Sequence, residues 1–81
     1  MKIHAIEIDE KIGSAYVYLE PPRPSSSVRQ VNISNAIILD IGKNGNILGI
    51  EILHPVITKM LMTTDSRAEL KKAHIPVKNI G

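Results

Sequence analysis

Two runs of mostly apolar, β-branched residues in the middle of the chain, residues 36–42 and 47–53, flank the pair Asn44-Gly45. An Asn-Gly pair between such runs favours a two-residue type I′ turn, so this segment predicts a β-hairpin. In the resulting register six apolar side chains share one face, which we predict to be buried. They are Ile37, Leu39, Ile41, Leu48, Ile50 and Ile52.

The opposite face of this hairpin carries two acids, Asp40 and Glu51, on neighbouring strands. Their carboxylates would come within about 5–8 Å of each other, close enough to share a proton or to hold a hard cation. The alternative is a packing role, with Glu51 in an ion pair or in water and Asp40 bonded to backbone amides. Gly49 lies opposite Asp40 and indicates a close backbone approach or a bulge.

The first third of the chain predicts a second hairpin. Residues 2–8 and 15–19 alternate as strands around a turn-forming segment, with Tyr16 and Tyr18 on one face. We count these tyrosines, with the two hairpin acids, as candidate interaction residues of a polar face. Residues 20–27 are rich in proline and serine and predict an exposed loop.

The spacing of apolar residues changes to a helical one after Leu53. Pro55 suits the first position of a helix. Ser66 and Glu69 have the spacing of a capping box, which predicts a second short helix beginning there. The apolar residues of these helices have to be buried either on this chain's own sheet or on another chain.

These elements predict an α+β fold in a single domain, residues 1–81. Residues 28–33 would form a strand connecting the two hairpins, so residues 1–53 predict an antiparallel β-meander of four to five strands. Residues 54–81 predict a short, helical, basic C-terminal extension.

Composition adds an argument for association. The 81 residues include no Phe, Trp or Cys and only two Tyr, so the core has to be built mainly from aliphatic side chains. So small a core is near the lower limit of independent stability, and we predict a homodimer or a higher closed oligomer. Without cysteine there is no disulfide framework, and no apolar run approaches the roughly 18 residues of a membrane span. We expect a soluble, cytoplasmic protein without a membrane segment.

The net charge is +2, and the basic residues concentrate towards the C-terminus. They keep a nucleic-acid-binding module open as an alternative function, since cations can contact phosphates. The candidate phosphate contacts are Arg29, Lys59, Arg67, Lys71 and Lys72, with Arg23 in the proline-rich loop. The basic tail has no aromatic residues on which bases would stack, and a solvated charged face is the alternative interpretation.

The sequence contains no motif typical of an enzyme. His4, His54 and His74 fall in three different elements without the paired spacing of a metal site. The serines of the loop lack the surroundings of a nucleophile elbow. We therefore predict no enzymatic activity and no cofactor, and a small hydrolase or metal protein centred on the two hairpin acids is the third-ranked alternative.

Residues 6–53 resemble a family of small prokaryotic proteins, Domain of Unknown Function 2283. Its first block resembles Asp9 followed by residues 14–19, and its second resembles residues 37–40 followed by residues 47–53, where Gly-Ile-Glu-Ile-Leu is the specific part. The chain departs from the family pattern at four positions. It has Gly13 and Gly42 in place of acids, Tyr18 in place of arginine and Ile41 in place of an aromatic residue.

The resemblance implies a small, mainly antiparallel β domain that associates, and an antitoxin-type binding role beside small toxin-like partners. Together with the residues, it favours a non-enzymatic, oligomeric protein-interaction module that presents its C-terminal extension to a small protein partner.

Overall fold

The computed structural model of the chain describes residues 2–23 and 27–81. These residues form an α+β fold in which five strands are followed by two helices and a sixth strand. The strands are β1 (Ala5–Asp9), β2 (Ser14–Tyr18), β3 (Ser27–Asn32), β4 (Ile37–Gly42), β5 (Ile47–Leu53) and β6 (Val77–Asn79). The helices are α1 (Pro55–Leu61) and α2 (Thr64–Lys72).

All six strands form one mixed sheet in the order β3-β4-β5-β2-β1-β6. The predicted meander is therefore wrong in strand order, because β2 pairs with β5 and the chain crosses to the far edge before β3. This is a Greek-key connection. Alternation determines which side chains share a face but not which strand lies alongside, so the sequence did not reveal this order. The crossing uses the predicted loop over residues 20–27, of which residues 24–26 lie outside the described residues.

The strand count also exceeds the predicted four to five, because β6 forms within the extension that was predicted to be helical. It pairs parallel to β1, with Val77 opposite Ile6. A three-residue strand is too short to show a period of two, and Pro76 directly before it is typical of a loop.

The core lies where the extension covers the first hairpin. Its buried side chains are Ile6, Ile8, Ala15 and Val17 from β1 and β2. Residues of the extension pack against them from one side, and these are Leu61, Met62, Leu70, Ile75 and Val77. The extension therefore packs on this chain's own sheet, which answers the question that the sequence left open.

The central hairpin keeps the predicted register from Ile37 opposite Ile52 to Asp40 opposite Gly49. A bulge follows, so that Ile41 lies opposite Ile47 and not opposite Leu48 as predicted. Of the six apolar residues expected to be buried together, only Ile41 is fully buried, and the other five are half-buried. Ile50 and Ile52 pack against the core cluster of β1 and β2, to which Ile37, Leu39 and Leu48 do not belong.

The turn of the hairpin also differs from the prediction. The N–H of Gly45 donates to the carbonyl of Gly42 at 3.0 Å, and the N–H of Gly42 donates to the carbonyl of Asn46 at 2.7 Å. The loop therefore has three residues, with Gly45 in the left-handed region at φ +81°. A type I′ turn would require a positive φ at Asn44 as well, whereas a type I turn followed by a left-handed glycine requires it at Gly45 alone.

The helix starts agree with the prediction in α1 and disagree in α2. Helix α1 begins at Pro55, as predicted, behind the N-cap His54. Helix α2 begins at Thr64, because the Oγ1 of Thr63 accepts the N–H of Ser66 at 3.2 Å. Ser66 is thus the third helical residue and not the cap. The earlier start adds helical residues and places Asp65 in the first turn, where the helix dipole stabilises a carboxylate.

Candidate functional site

The sheet face opposite the helices carries all four predicted interaction residues, and we call it the polar face. In the register of the sheet, Tyr16 lies opposite Glu51. Tyr18 and Asp40 lie on the two sides of Gly49, and Gln30 lies opposite Asp40. Because side chains alternate between the two faces of a sheet, these residues all lie away from the core. The four residues predicted for this face, Tyr16, Tyr18, Asp40 and Glu51, are thus brought together on one surface.

The centre of the polar face is a hydrogen-bond network around Asp40. The hydroxyl of Tyr16 donates to Oδ2 of Asp40, although β5 lies between their strands. The Nε2 of Gln30 donates to Oδ1 of the same carboxylate at 3.0 Å. Both carboxylate oxygens therefore accept a hydrogen bond from the chain itself.

Gly49 is what allows this bridge between strands. A Cβ built at residue 49 would overlap the ring and the hydroxyl of Tyr16. The tyrosine therefore reaches Asp40 by lying across the bare backbone of β5, which confirms the close approach that the sequence predicted at Gly49. Because Gly49 does not have a positive φ, space and not backbone conformation requires the glycine here.

A second, weaker contact extends the network to β1. The hydroxyl of Tyr18 donates to Oε1 of Glu7 at 3.4 Å. The rings of Tyr16 and Tyr18 lie 4.6 Å apart between centroids, at an interplanar angle of 53°. The two tyrosines thus pack against each other as a tilted aromatic pair, each with its hydroxyl bonded to a different acid.

The surroundings of both phenols disfavour their ionised form. Burial raises the pKa of Tyr16 above its ordinary value, and its hydrogen bond to the Asp40 carboxylate raises it further. Burial likewise raises the pKa of Tyr18, with the charge of Glu7 adding to the effect. Both side chains are thus neutral hydrogen-bond donors at neutral pH and unsuited to act as phenolate bases or nucleophiles.

Asp40 and Glu51, the two candidate acids, lie on one face as predicted, and Tyr16 is next to both of them. Tyr16 lies opposite Glu51 in the sheet and bonds to Asp40 with its hydroxyl. Within the described residues, no three His, Asp or Glu side chains are grouped closely enough to hold a metal ion. The arrangement matches the packing role considered for Asp40, except that side chains and not backbone amides satisfy it.

The five candidate phosphate contacts do not form one surface. Arg29 lies on β3, at one edge of the sheet. Arg67 and Lys71 project from α2 towards the opposite edge, beside the start of β6. Lys72 pairs with Glu69 at 3.5 Å, and Lys59 lies in the last turn of α1. A nucleic acid contacting all five would have to span the sheet.

The structure reveals a groove between α2 and β6 that the sequence did not indicate. The α2–β6 groove has a volume of about 370 Å³. Its lining residues are Arg67, Ala68, Lys71, Ile75, Pro76 and Val77. Because its floor depends on β6, no local sequence pattern could have predicted it. Gln30 and Glu7 of the polar face were missed for a different reason. Their strands were predicted next to the right neighbours, but the side-chain contacts of Gln30 with Asp40 and of Glu7 with Tyr18 were not predicted.

Comparison with known families identifies the β-sheet part of the chain. Residues 5–54, more than half of the chain, match the family described as "Protein of unknown function (DUF2283)". The chain belongs to the DUF2283 family. The resemblance seen in the sequence is thereby confirmed, and the DUF2283 region contains β1 to β5 and the whole central network. Helices α1 and α2, strand β6 and the α2–β6 groove lie beyond the matched residues.

No curated protein and no solved structure matches this DUF2283 chain. Neither of the helices in the described part of the chain has the length and apolar character needed to span a membrane.

Proposed function

We propose that this DUF2283 protein is a non-enzymatic protein-interaction module that pairs with a second copy of itself and presents its helical extension to a protein partner. An antitoxin-type role, as implied by the family resemblance, is one form of this function. The cytoplasmic location predicted from the sequence and the prokaryotic source implied by the family resemblance belong to the same proposal.

The observation that carries the proposal is an apolar surface that continues beyond the helices. We call Val31, Ile33, Ile37 and Leu39 the apolar strip. Leu39 and Ile37 lie on the core side of the sheet, because they are opposite Ile50 and Ile52, which pack against the core. Val31 lies opposite Leu39, and Ile33 bonds to Ile37, so both share this side. Among the described residues, the core cluster includes none from β3 or β4. Ile33 is 60% exposed, and the other three are half-buried.

Strand β3 also has an open edge beside this strip. The N–H of Ile33 donates to the carbonyl of Ile37 at 2.9 Å, so residues 31 and 29 also bond to β4 in the alternating antiparallel pattern. Residues 30 and 32 then direct their backbone groups away from the sheet. A second copy related by a two-fold axis would satisfy these groups and bring the two apolar strips side by side.

Sedimentation of the purified protein tests this pairing. We expect a dimer at micromolar concentration. Ile33→Glu should weaken it at least about tenfold, since burying an unpaired charge in the contact costs several kcal/mol. Because Ile33 is exposed within one chain, the substitution should leave the protomer folded.

Ile12→Glu is the matched control, because Ile12 is 71% exposed in the β1–β2 turn, away from the apolar strip. It should dimerise as the unmodified protein does. A monomer at high micromolar concentration would contradict the proposal. So would a loss of dimer in Ile12→Glu as large as that in Ile33→Glu.

A further inference from the structure

We infer that the α2–β6 groove binds the protein partner through an acidic peptide segment that also carries an apolar side chain. This inference rests on the proposed function and names the chemistry of the partner.

Two cations for which the described residues provide no ion pair flank the groove. Arg67 and Lys71 are four residues apart on α2, so their side chains lie on the same side of the helix, one turn from each other. The ion pair found among the described residues joins Lys72 to Glu69 and leaves Arg67 and Lys71 without an acid at ion-pair distance. The groove therefore has two positive charges that a partner's carboxylates would neutralise.

The floor between and beneath these cations is apolar. Ala68, between Arg67 and Lys71 in sequence, contributes only a methyl group and leaves room above it. Ile75, Pro76 and Val77 form the rest of the floor, and Ile75 and Val77 are half-buried. A ligand that filled this space would need an apolar side chain between its acidic groups.

The backbone of β6 adds hydrogen-bonding groups at the same place. The N–H of Ile6 donates to the carbonyl of Pro76 at 2.9 Å, and the N–H of Ile80 donates to the carbonyl of Ile8 at 2.7 Å. Residues 76 and 80 therefore face β1, and Val77 directs its own N–H and C=O towards the open edge. An extended peptide could bond to them as an added strand, which favours a peptide over a compact anion.

The same features argue against nucleic acid as the ligand of this groove. Single-stranded nucleic acid binds through phosphate contacts combined with aromatic stacking, but both tyrosines of the chain lie on the polar face, across the sheet from α2. A sugar-phosphate backbone also carries no aliphatic side chain that would fill the space over Ile75 and Val77.

Fluorescence anisotropy with a labelled peptide of alternating glutamate and leucine tests the inference on the full chain. We expect binding that weakens at least about tenfold in Lys71→Glu. Lys72→Glu is the matched control, because it makes the same charge change one residue further along, outside the groove. It should bind within about twofold of the unmodified protein. The same peptide with serine in place of leucine should bind at least about tenfold more weakly.

Four results would overturn the inference. The first is no binding of the glutamate-leucine peptide, and the second is an equal loss in Lys71→Glu and Lys72→Glu. The third is tighter, competing binding of a single-stranded oligonucleotide. The fourth is a loss of dimer in Lys71→Glu by sedimentation, which would make a second copy the occupant. Ile33→Glu should bind the peptide normally. Absence of the proposed dimer, seen in sedimentation, is therefore distinguishable from absence of peptide binding in the groove, seen in anisotropy.

Discussion

Replacing Gly49 with alanine tests whether the Tyr16–Asp40 bridge stabilises the sheet. The new Cβ would occupy the space of the Tyr16 ring, so the ring has to leave its position over β5. Losing a hydrogen bond to a carboxylate costs about 1.5–3 kcal/mol. Alanine returns about 0.5–1 kcal/mol of this through the lower entropy of its unfolded chain. We therefore expect Gly49→Ala to lower the free energy of unfolding by about 0.5–2.5 kcal/mol.

The decisive comparison is a double-mutant cycle with Tyr16→Ala. Tyr16→Ala removes the three atoms that lie nearest to a Cβ at residue 49, and Gly49→Ala should then stabilise the protein by about 0.5–1 kcal/mol. Urea unfolding followed by circular dichroism measures all four proteins, at one fixed protein concentration because association would shift the midpoint.

Gly45→Ala is the control, because any loss of stability there would come from backbone conformation and not from contact with Tyr16. At Gly45 a Cβ has open space, but φ is +81°, so alanine should cost about 1–2 kcal/mol with or without Tyr16. The reasoning is refuted if Gly49→Ala leaves the free energy of unfolding unchanged. It is also refuted if its cost is the same in the Tyr16→Ala background.

Three further predictions concern pH, the core and the extension. Above pH 10 the free energy of unfolding should fall as pH rises, since unfolded phenols release protons that the folded ones keep. Each tyrosine releases at most one proton, which limits its slope to about 1.4 kcal/mol per pH unit, and solvent screening lowers the slope further. Denaturation of Tyr16→Phe across this range should show a smaller fall. Thr58→Val should stabilise by about 1 kcal/mol in urea unfolding, because Oγ1 of Thr58 is buried without a hydrogen-bond partner among the described residues. A chain truncated after Leu53 exposes the core beside Ile8 and should lose cooperative thermal unfolding, followed by circular dichroism.

Local patterns predict much of this fold because they reflect local physics. Alternation places Val17 in the core and Tyr16 on the polar face, and Pro55 marks the start of α1 as predicted. The start of α2 was missed because Thr63 and Ser66 both have side chains able to cap a helix. Which of the two caps the helix depends on tertiary packing, which local sequence patterns do not reveal.

The candidate sites could be predicted only in part, because they depend on pairing between strands that are distant in sequence. The sequence indicates a close approach at Gly49 but not that Tyr16 makes it, since β2 and β5 are not neighbours in sequence. The α2–β6 groove was beyond reach for the same reason. Lys71 is visible in the sequence as one charge among several, and only the position of β6 gives it an apolar floor beside it.

The pairing of β6 with β1 joins Val77 to Ile6 and so closes a loop that contains almost the whole chain. Closing so large a loop costs entropy, and the β1–β6 pairing offsets this cost with only three residue pairs. We expect β6 to join the sheet last during folding and to detach first in native fluctuations, which amide exchange would detect as weak protection. Since Pro76 and Val77 form the floor of the groove, a peptide bound there would hold this strand in place. A peptide bound in the groove beside α2 would then slow amide hydrogen exchange in β1, at the other end of the chain.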